Sequence, residues 1–456
     1  MCKKLFTQLG FLLVLFSLLI TSCATPQTAA PVEPTKEPVA VQPSTATEKP
    51  KEAAPTQPPA SSEPVTVTVL HNWGPSDSKG PVLKKIFDDC MVANPGLKIV
   101  TDIQVDADIP NKAETSFLAE QEPELILSNM FPQTYKWIDT GLTVPINDYI
   151  KEWGLDGKFR ENALSTWTDT KGRIMGFPLE GYNWPMWYNT KIFKELNLPI
   201  PTTWDEVLAD APKIKAAGYD VVSVGGNGDS GWYMFMTFLF NSLTKEEMAK
   251  YYQEGHLANY PNAVKAIEQF VKLRDAGIFP KDAPGLQEEA VNNMFYSGKA
   301  AMWSGGSWFY GEAPEAFRPD VMVGGIPLTT PTVWDKNWVL TGDDAKAVWI
   351  TRNGVKKIDA VKKIVQCIYS PENIGNFVVE AGMPPPLKEV KIDETKLNPI
   401  FMQTLKWGDK YSYTSLPLGA AGVDTSQAFK DLWLPTTTAD MIVKEIDQAY
   451  MEGLGK

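Results

Sequence analysis

Histidine is nearly missing from this chain. Only His71 and His256 occur in 456 residues, which all but excludes a histidine-rich metal site and leaves imidazole acid–base chemistry little to work with. Basic residues are in short supply too: 43 Lys and Arg face 55 Asp and Glu, for a formal charge of −12. A nucleic-acid partner would want a basic face, so that class is set aside. No cofactor, metal or catalytic group is expected. Tryptophan, by contrast, is plentiful at 15 residues, enough to suggest rings used for more than packing. The length exceeds what one hydrophobic core supports, so two domains are expected.

The N-terminus has the layout of an export signal. Lys3 and Lys4 precede the apolar run LFTQLGFLLVLFSLLI, too short and wrongly flanked to span a membrane. Ile20-Thr21-Ser22-Cys23 resembles the lipobox of bacterial lipoproteins, which implies removal of residues 1–22 and acylation of Cys23. From there to residue 64 the chain is dense in Pro, Thr, Ala and Glu without one aromatic ring. Such a stretch cannot bury enough surface to fold and reads as a tether. Of the four cysteines, Cys90 and Cys367 lie in the part expected to fold, each on or beside an apolar helical stripe. Two small buried thiols are the default reading; a disulfide is compatible with an extracytoplasmic location, but sequence supplies no Cα distance.

The body opens with PVTVTVLHNWG, in which Val65, Val67 and Val69 alternate with Thr66 and Thr68. Strand, helix, strand, helix, strand follow through ELILSNM, an alternation that predicts a parallel, doubly wound α/β sheet. Ligands of such sheets sit beyond the carboxyl ends of strands, which here carry His71, Asn72, Trp73, Ser128 and Asn129. A second unit begins after RIMGFPLE, with Thr203 and Glu206 at capping-box spacing.

Two stretches in this second unit resemble a known family. MWYNTKIFKELNLPIPTTWDEVL (186–208) carries Tyr188-Asn189, Phe193, Pro201, Thr203-Trp204 and Asp205-Glu206. MFYSGKAAMWSGGSW (294–308) is similar to an F-x-x-G-K-A-A-M stretch followed by Gly and Trp. Together they resemble the family 1 extracellular solute-binding proteins, the sugar-type receptors of bacterial ABC importers. The resemblance implies an α/β, two-lobe periplasmic-binding-protein-like (flytrap) fold, each lobe a doubly wound sheet, joined by crossover hinge strands. It implies a monomer that captures a sugar and hands it to permease subunits in the membrane, to which Cys23 would anchor it. Crossings are expected near 175–182 and 300–308. The expected organisation is signal 1–22, tether 23–64, first lobe 65–178, second lobe 179–304, a return to the first lobe over 305–385, and C-terminal helices over 386–456 on the second.

A sugar presents C–H faces that stack on rings and hydroxyls that need polar partners, with little call for cations. The candidates are Trp73 and Asn129 in the first lobe, Glu180, Tyr182 and Trp184 at the first crossing, Trp232 at GGNGDSGW, and Trp303, Gly306 and Trp308 at the second crossing. Trp204, in a capped helix start, is read as core. Trp187 and Tyr188 alternate faces of a strand, one of them core, and Asp229 is either a hydroxyl acceptor or only a turn former, the turn being favoured. Two rivals stand beside the sugar receptor. One is a secreted glycosidase casting Glu180 and Asp229 as its carboxylate pair. The other keeps the fold for a polyol phosphate, polyamine or metal chelate.

Overall fold

The computed structural model describes residues 63–131, 133–414, 419–420 and 422–455. The signal segment, Cys23 and the tether as far as residue 62 lie outside the described residues. Among the described residues ten strands form two sheets: β1 (Val65–His71), β2 (Leu97–Ile103), β3 (Leu125–Ser128), β4 (Phe177–Trp184), β5 (Met186–Asn189), β6 (Asp220–Ser223), β7 (Ala300–Ser304), β8 (Val321–Gly324), β9 (Trp338–Ile350) and β10 (Ser412–Thr414). The first sheet runs β10-β9-β3-β1-β2 with β4 added on β9; the second runs β6-β7-β5-β8.

In the first sheet β1 lies parallel between β2 and β3, as the alternation predicts, and β9 joins antiparallel to β3. Val67 and Val69 are fully buried, and all four residues of β3 are buried, the pattern of a strand covered on both faces. The Lys79–Ala93 helix turns Val82, Leu83, Ile86, Phe87 and Cys90 inward. The Ile358–Ile368 helix does the same with Val361, Ile364, Val365 and Ile368. Between these two helices Cys90 and Cys367 are joined as a disulfide, with Cα atoms 5.9 Å apart. The expectation of two thiols is therefore corrected: residues 277 apart in sequence are brought together by helix packing that no local pattern encodes.

The connection between sheets also differs from expectation. β4 pairs with β9 from Phe177↔Val348 to Trp184↔Leu340, within the first sheet. One residue later β5 pairs with β7 and β8 in the second. The residue between is Pro185, which has no N–H to continue the first ladder, so the first change of sheet falls there, three residues past 182. β7 stays in the second sheet, and so does β8, although it falls inside the 305–385 stretch. The return is made between β8 and β9, where Ile326 bridges Trp338, not at 300–308. The capping box forms as read: Thr203 Oγ1 accepts the Glu206 N–H at 3.2 Å, and Glu206 Oε2 accepts the Thr203 N–H at 3.2 Å. Among the described residues no helix is long and apolar enough to cross a membrane.

Candidate functional site

A cleft of about 560 Å³ is lined on one side by residues of the first sheet and its loops and on the other by the Asp229–Ser242 helix, which packs on the second sheet. Its floor on the first-sheet side begins where β1 ends, with Asn72 and Trp73. This turn lies hard against the start of the Lys79–Ala93 helix. A Cβ at Gly80 would stand 1.9 Å from the Gly74 carbonyl oxygen, so only glycine lets turn and helix approach this closely. That approach places Lys79 beside Trp73, with Nζ 5.7 Å from the ring centroid.

Lys79 is 3% exposed and lies 3.3 Å from an Asp77 oxygen and 3.5 Å from Glu180 Oε1 on β4. Burial works against its charge, but Glu180 and Asp77 outweigh it and its pKa rises. Burial pushes the Glu180 carboxyl up as well, with Lys79 opposing; the pair keeps the ammonium charged while the carboxylate carries the desolvation cost. A second cluster closes on itself. Lys346 Nζ, from β9, donates to Asp106 Oδ1 at 2.7 Å and to Asn129 Oδ1 at 2.6 Å, and the Asn129 amide donates to Asp106 Oδ2 at 2.7 Å. His71 is buried just behind; burial and then the Lys346 charge pull its pKa down to about 4, keeping it neutral.

The opposite wall is the first turns of the Asp229–Ser242 helix, which starts on the glycine-rich turn. A Cβ at Gly231 would meet the Gly225 carbonyl at 2.2 Å, so this helix start too requires glycine. Its Ser230 N–H is capped from another helix, donating to Glu288 Oε2 at 3.1 Å. Burial, then the charge of Asp229, pushes Glu288 up to about 7. Asp229 is exposed, and it lines the cleft with the opposite wall around it. That enclosure, then repulsion from Asp106, raises its carboxyl to about 6.

The same helix supplies Trp232 and Tyr233, and an aromatic run continues on either side of them. Phe429 lies 6.2 Å from Trp232, Trp232 lies 4.7 Å from Tyr233, and Tyr233 lies 6.3 Å from Trp308. All four rings line the cleft. Behind them Trp184 stacks on Tyr233 at 3.9 Å and meets Trp308 edge-on at 5.2 Å. The C-terminal segment completes the mouth with Gly419, Ala420 and residues 423–426, and Tyr450.

Five of the nine expected residues thus line the cleft: Trp73, Asn129, Glu180, Trp232 and Trp308. The other four stand outside its wall. Tyr182 is 1% exposed behind Tyr233 and Trp308. Trp184 is fully buried and donates its indole N–H to Ser304 Oγ at 2.9 Å. Trp303 pairs in register with Trp187, which puts both indoles on the same face of the second sheet, 4.7 Å apart and away from the cleft. Gly306 makes room for the Trp308 ring, which a Cβ there would meet at 2.7 Å. Trp187 and Tyr188 do alternate faces, but both faces are core. Trp204 is core, stacked on Phe238. Sequence reasoning placed Asn72 at a ligand-side strand end without choosing it as a candidate, missed Asp77, Lys79, Asp106, Tyr233, Lys346 and the tail residues, and favoured a turn-forming role for Asp229.

The family description "bacterial extracellular solute-binding protein" matches residues 74–374 of this chain. A solved structure of a probable secreted solute-binding lipoprotein from Streptomyces coelicolor is 30% identical, with a TM-score of 0.71 over 85% of this chain and 99% of that one. A chitin oligosaccharide binding protein shares the fold at a TM-score of 0.74 and 22% identity, over 86% of this chain and 100% of its own. The multiple sugar-binding protein of Streptococcus mutans serotype c is 24% identical over 245 residues, 50% of this chain and 54% of that protein. The chain spans about half the length of the curated relatives it matches.

Proposed function

We propose, for a chain that belongs to the bacterial extracellular solute-binding proteins, that it is the receptor of an ABC importer and captures a carbohydrate between its two lobes for a membrane permease. The observation that carries this reading is a run of four cleft-lining rings, Phe429, Trp232, Tyr233 and Trp308, facing a floor of carboxylates and amides. Pyranose C–H faces stack on such rings, while hydroxyls donate to Asp77, Asp106, Glu180 and Asp229. The protein binds and releases without chemistry. Contacts to both lobes favour the closed form, and only a difference in affinity between open and closed states drives closure. The lobes bend about the β4–β9 ladder. Removal of residues 1–22 and acylation of Cys23 hold the protein at the outer face of the membrane, with the Pro-rich tether spacing it from the lipid.

The test is thermal unfolding of the purified protein against mono-, di- and oligosaccharides, polyols and polyamines. A ligand at 100 times its Kd stabilises by about 2.7 kcal/mol, readily seen as a shift in Tm. A saccharide response that weakens at least tenfold in Trp308→Ala supports the reading. A panel silent to every saccharide refutes it.

A further inference from the structure

Carboxylates face the cleft from both sides. Asp77, Asp106 and Glu180 stand on the first-sheet side, and Asp229 on the helix opposite. The cleft's two ammonium groups are already engaged on the first side. Lys79 lies between Asp77 and Glu180, and Lys346 is held by Asp106 and Asn129. Asp229 has no hydrogen bond or ion pair among the described residues, although Asp106, Glu180, Lys346 and Lys79 all act on it through the cleft. Glu288 behind it has given one oxygen to the Ser230 N–H, and its Oε1 has no partner. Closing the lobes on an empty cleft therefore drives like charges together in surroundings drier than bulk water, where their repulsion grows. A hydroxyl eases this only by donating a hydrogen bond. An ammonium supplies the missing charge.

The floor offers a second, independent sign of a ligand. Trp73 is 2% exposed and lines the cleft, yet its indole N–H has no partner; the neighbouring Asn72 amide oxygen is buried and unpartnered as well. One is a donor waiting for a ring hydroxyl, the other an acceptor for N–H or O–H. We infer that the cleft selects a saccharide carrying a protonated amino group, whose ammonium lies between Asp229 and the Asp106–Glu180 side and acts as the counterion for closure. This rests on the carbohydrate reading above and narrows it. The protonated amine is itself the distinguishing chemistry: an N-acetylated sugar keeps the ring and loses the charge.

Calorimetric titration of the full-length protein at pH 7 with amino-deoxy di- and trisaccharides, their N-acetylated forms and their plain hydroxyl counterparts tests this. The aminated sugar is expected to bind at least tenfold more tightly than either counterpart. That ratio should shrink in 0.5 M NaCl, and again as pH falls from 7 to 5 and Asp229 takes up a proton. In Asp229→Asn the ratio should fall to near one, with Tm checked to show that the variant folds. The salt and pH series on the unaltered protein stand whether or not that variant does. Equal affinities, or a preference for the neutral sugars, overturn the inference and leave the carbohydrate reading intact. Binding of a linear polyamine with no saccharide response at all overturns both.

Discussion

Trp184 separates a ring that carries the site from a ring that touches the ligand. It is fully buried, stacks on Tyr233 and donates to Ser304 Oγ. Trp184→Phe keeps a ring against Tyr233 but leaves the Ser304 hydroxyl, itself 1% exposed, without its donor, at a cost of about 1–3 kcal/mol. Trp184→Ala removes the ring as well and costs about 3–5 kcal/mol. For a folded part of about 390 residues, an unfolding entropy near ~2.1 cal/mol/K per residue makes 1 kcal/mol worth about 1.2 °C in Tm. Scanning calorimetry without ligand should therefore show Tm falling by about 1–4 °C in the Phe variant and about 4–6 °C in the Ala variant. Saccharide affinity, by titration, should drop only a few-fold in the Phe variant, because Tyr233 and Trp308 stay supported. The reasoning fails if Trp184→Phe leaves Tm unchanged and abolishes binding. That outcome would mean the indole meets the ligand directly.

Replacing Cys90 and Cys367 by serine, or reducing the bond, should cost about 2–5 kcal/mol because the link closes so long a loop; calorimetry with and without reductant reads it, and an unchanged Tm would contradict the cross-link. Gly231→Ala forces a Cβ to 2.2 Å from the Gly225 carbonyl, so the helix start must shift; Tm and saccharide affinity should fall together, and a variant with both intact would show that the turn gives way freely. Glu288 and Asp229 have raised pKa values in the folded state, so the fold holds protons that the unfolded chain releases. Stability of the ligand-free protein should therefore decline as pH rises from about 4 to about 7 through these groups. In Glu288→Gln the decline should be shallower; the same slope with glutamine in place would remove Glu288 from the account.

Much of the fold was legible because it is written locally. The Val/Thr alternation of β1, the apolar stripes of the Lys79–Ala93 and Ile358–Ile368 helices, and the Thr203–Glu206 box each act within one or two turns of chain. The faces of β4 were not legible. Seven of its eight residues are buried, so no alternation distinguishes Glu180, which reaches the cleft, from Trp184, which backs it. What decides is Tyr233, a ring far along the chain that lies between Trp184 and the ligand space. The lysines were missed for a related reason. Lys79 and Lys346 look like ordinary surface residues until their carboxylates arrive from distant segments. Asp229 does begin a helix after a glycine turn, as a turn former would, and the tertiary fold then opens that turn onto the cleft.

The interleaving of the sheets bears on how the chain is made. Every strand of the second sheet has left the ribosome once residue 324 is out, whereas β3 and β4 wait for β9, which ends at Ile350, and the rim strand β10 follows only at 412–414. The sheet that begins first in sequence is thus completed last, while the core of the second lobe still waits for the C-terminal residues Leu432, Trp433, Ile442 and Ile446 that pack into it. Until β9 arrives, β3 presents a bare edge carrying Leu125, Ile126 and Leu127, the kind of surface that recruits stray strands. A chain emerging slowly, or held unfolded by a chaperone until β9 can dock, avoids that hazard; one released early, truncated before residue 338, carries a paired second sheet, still without the C-terminal helix that packs on its core, beside a bare-edged first one.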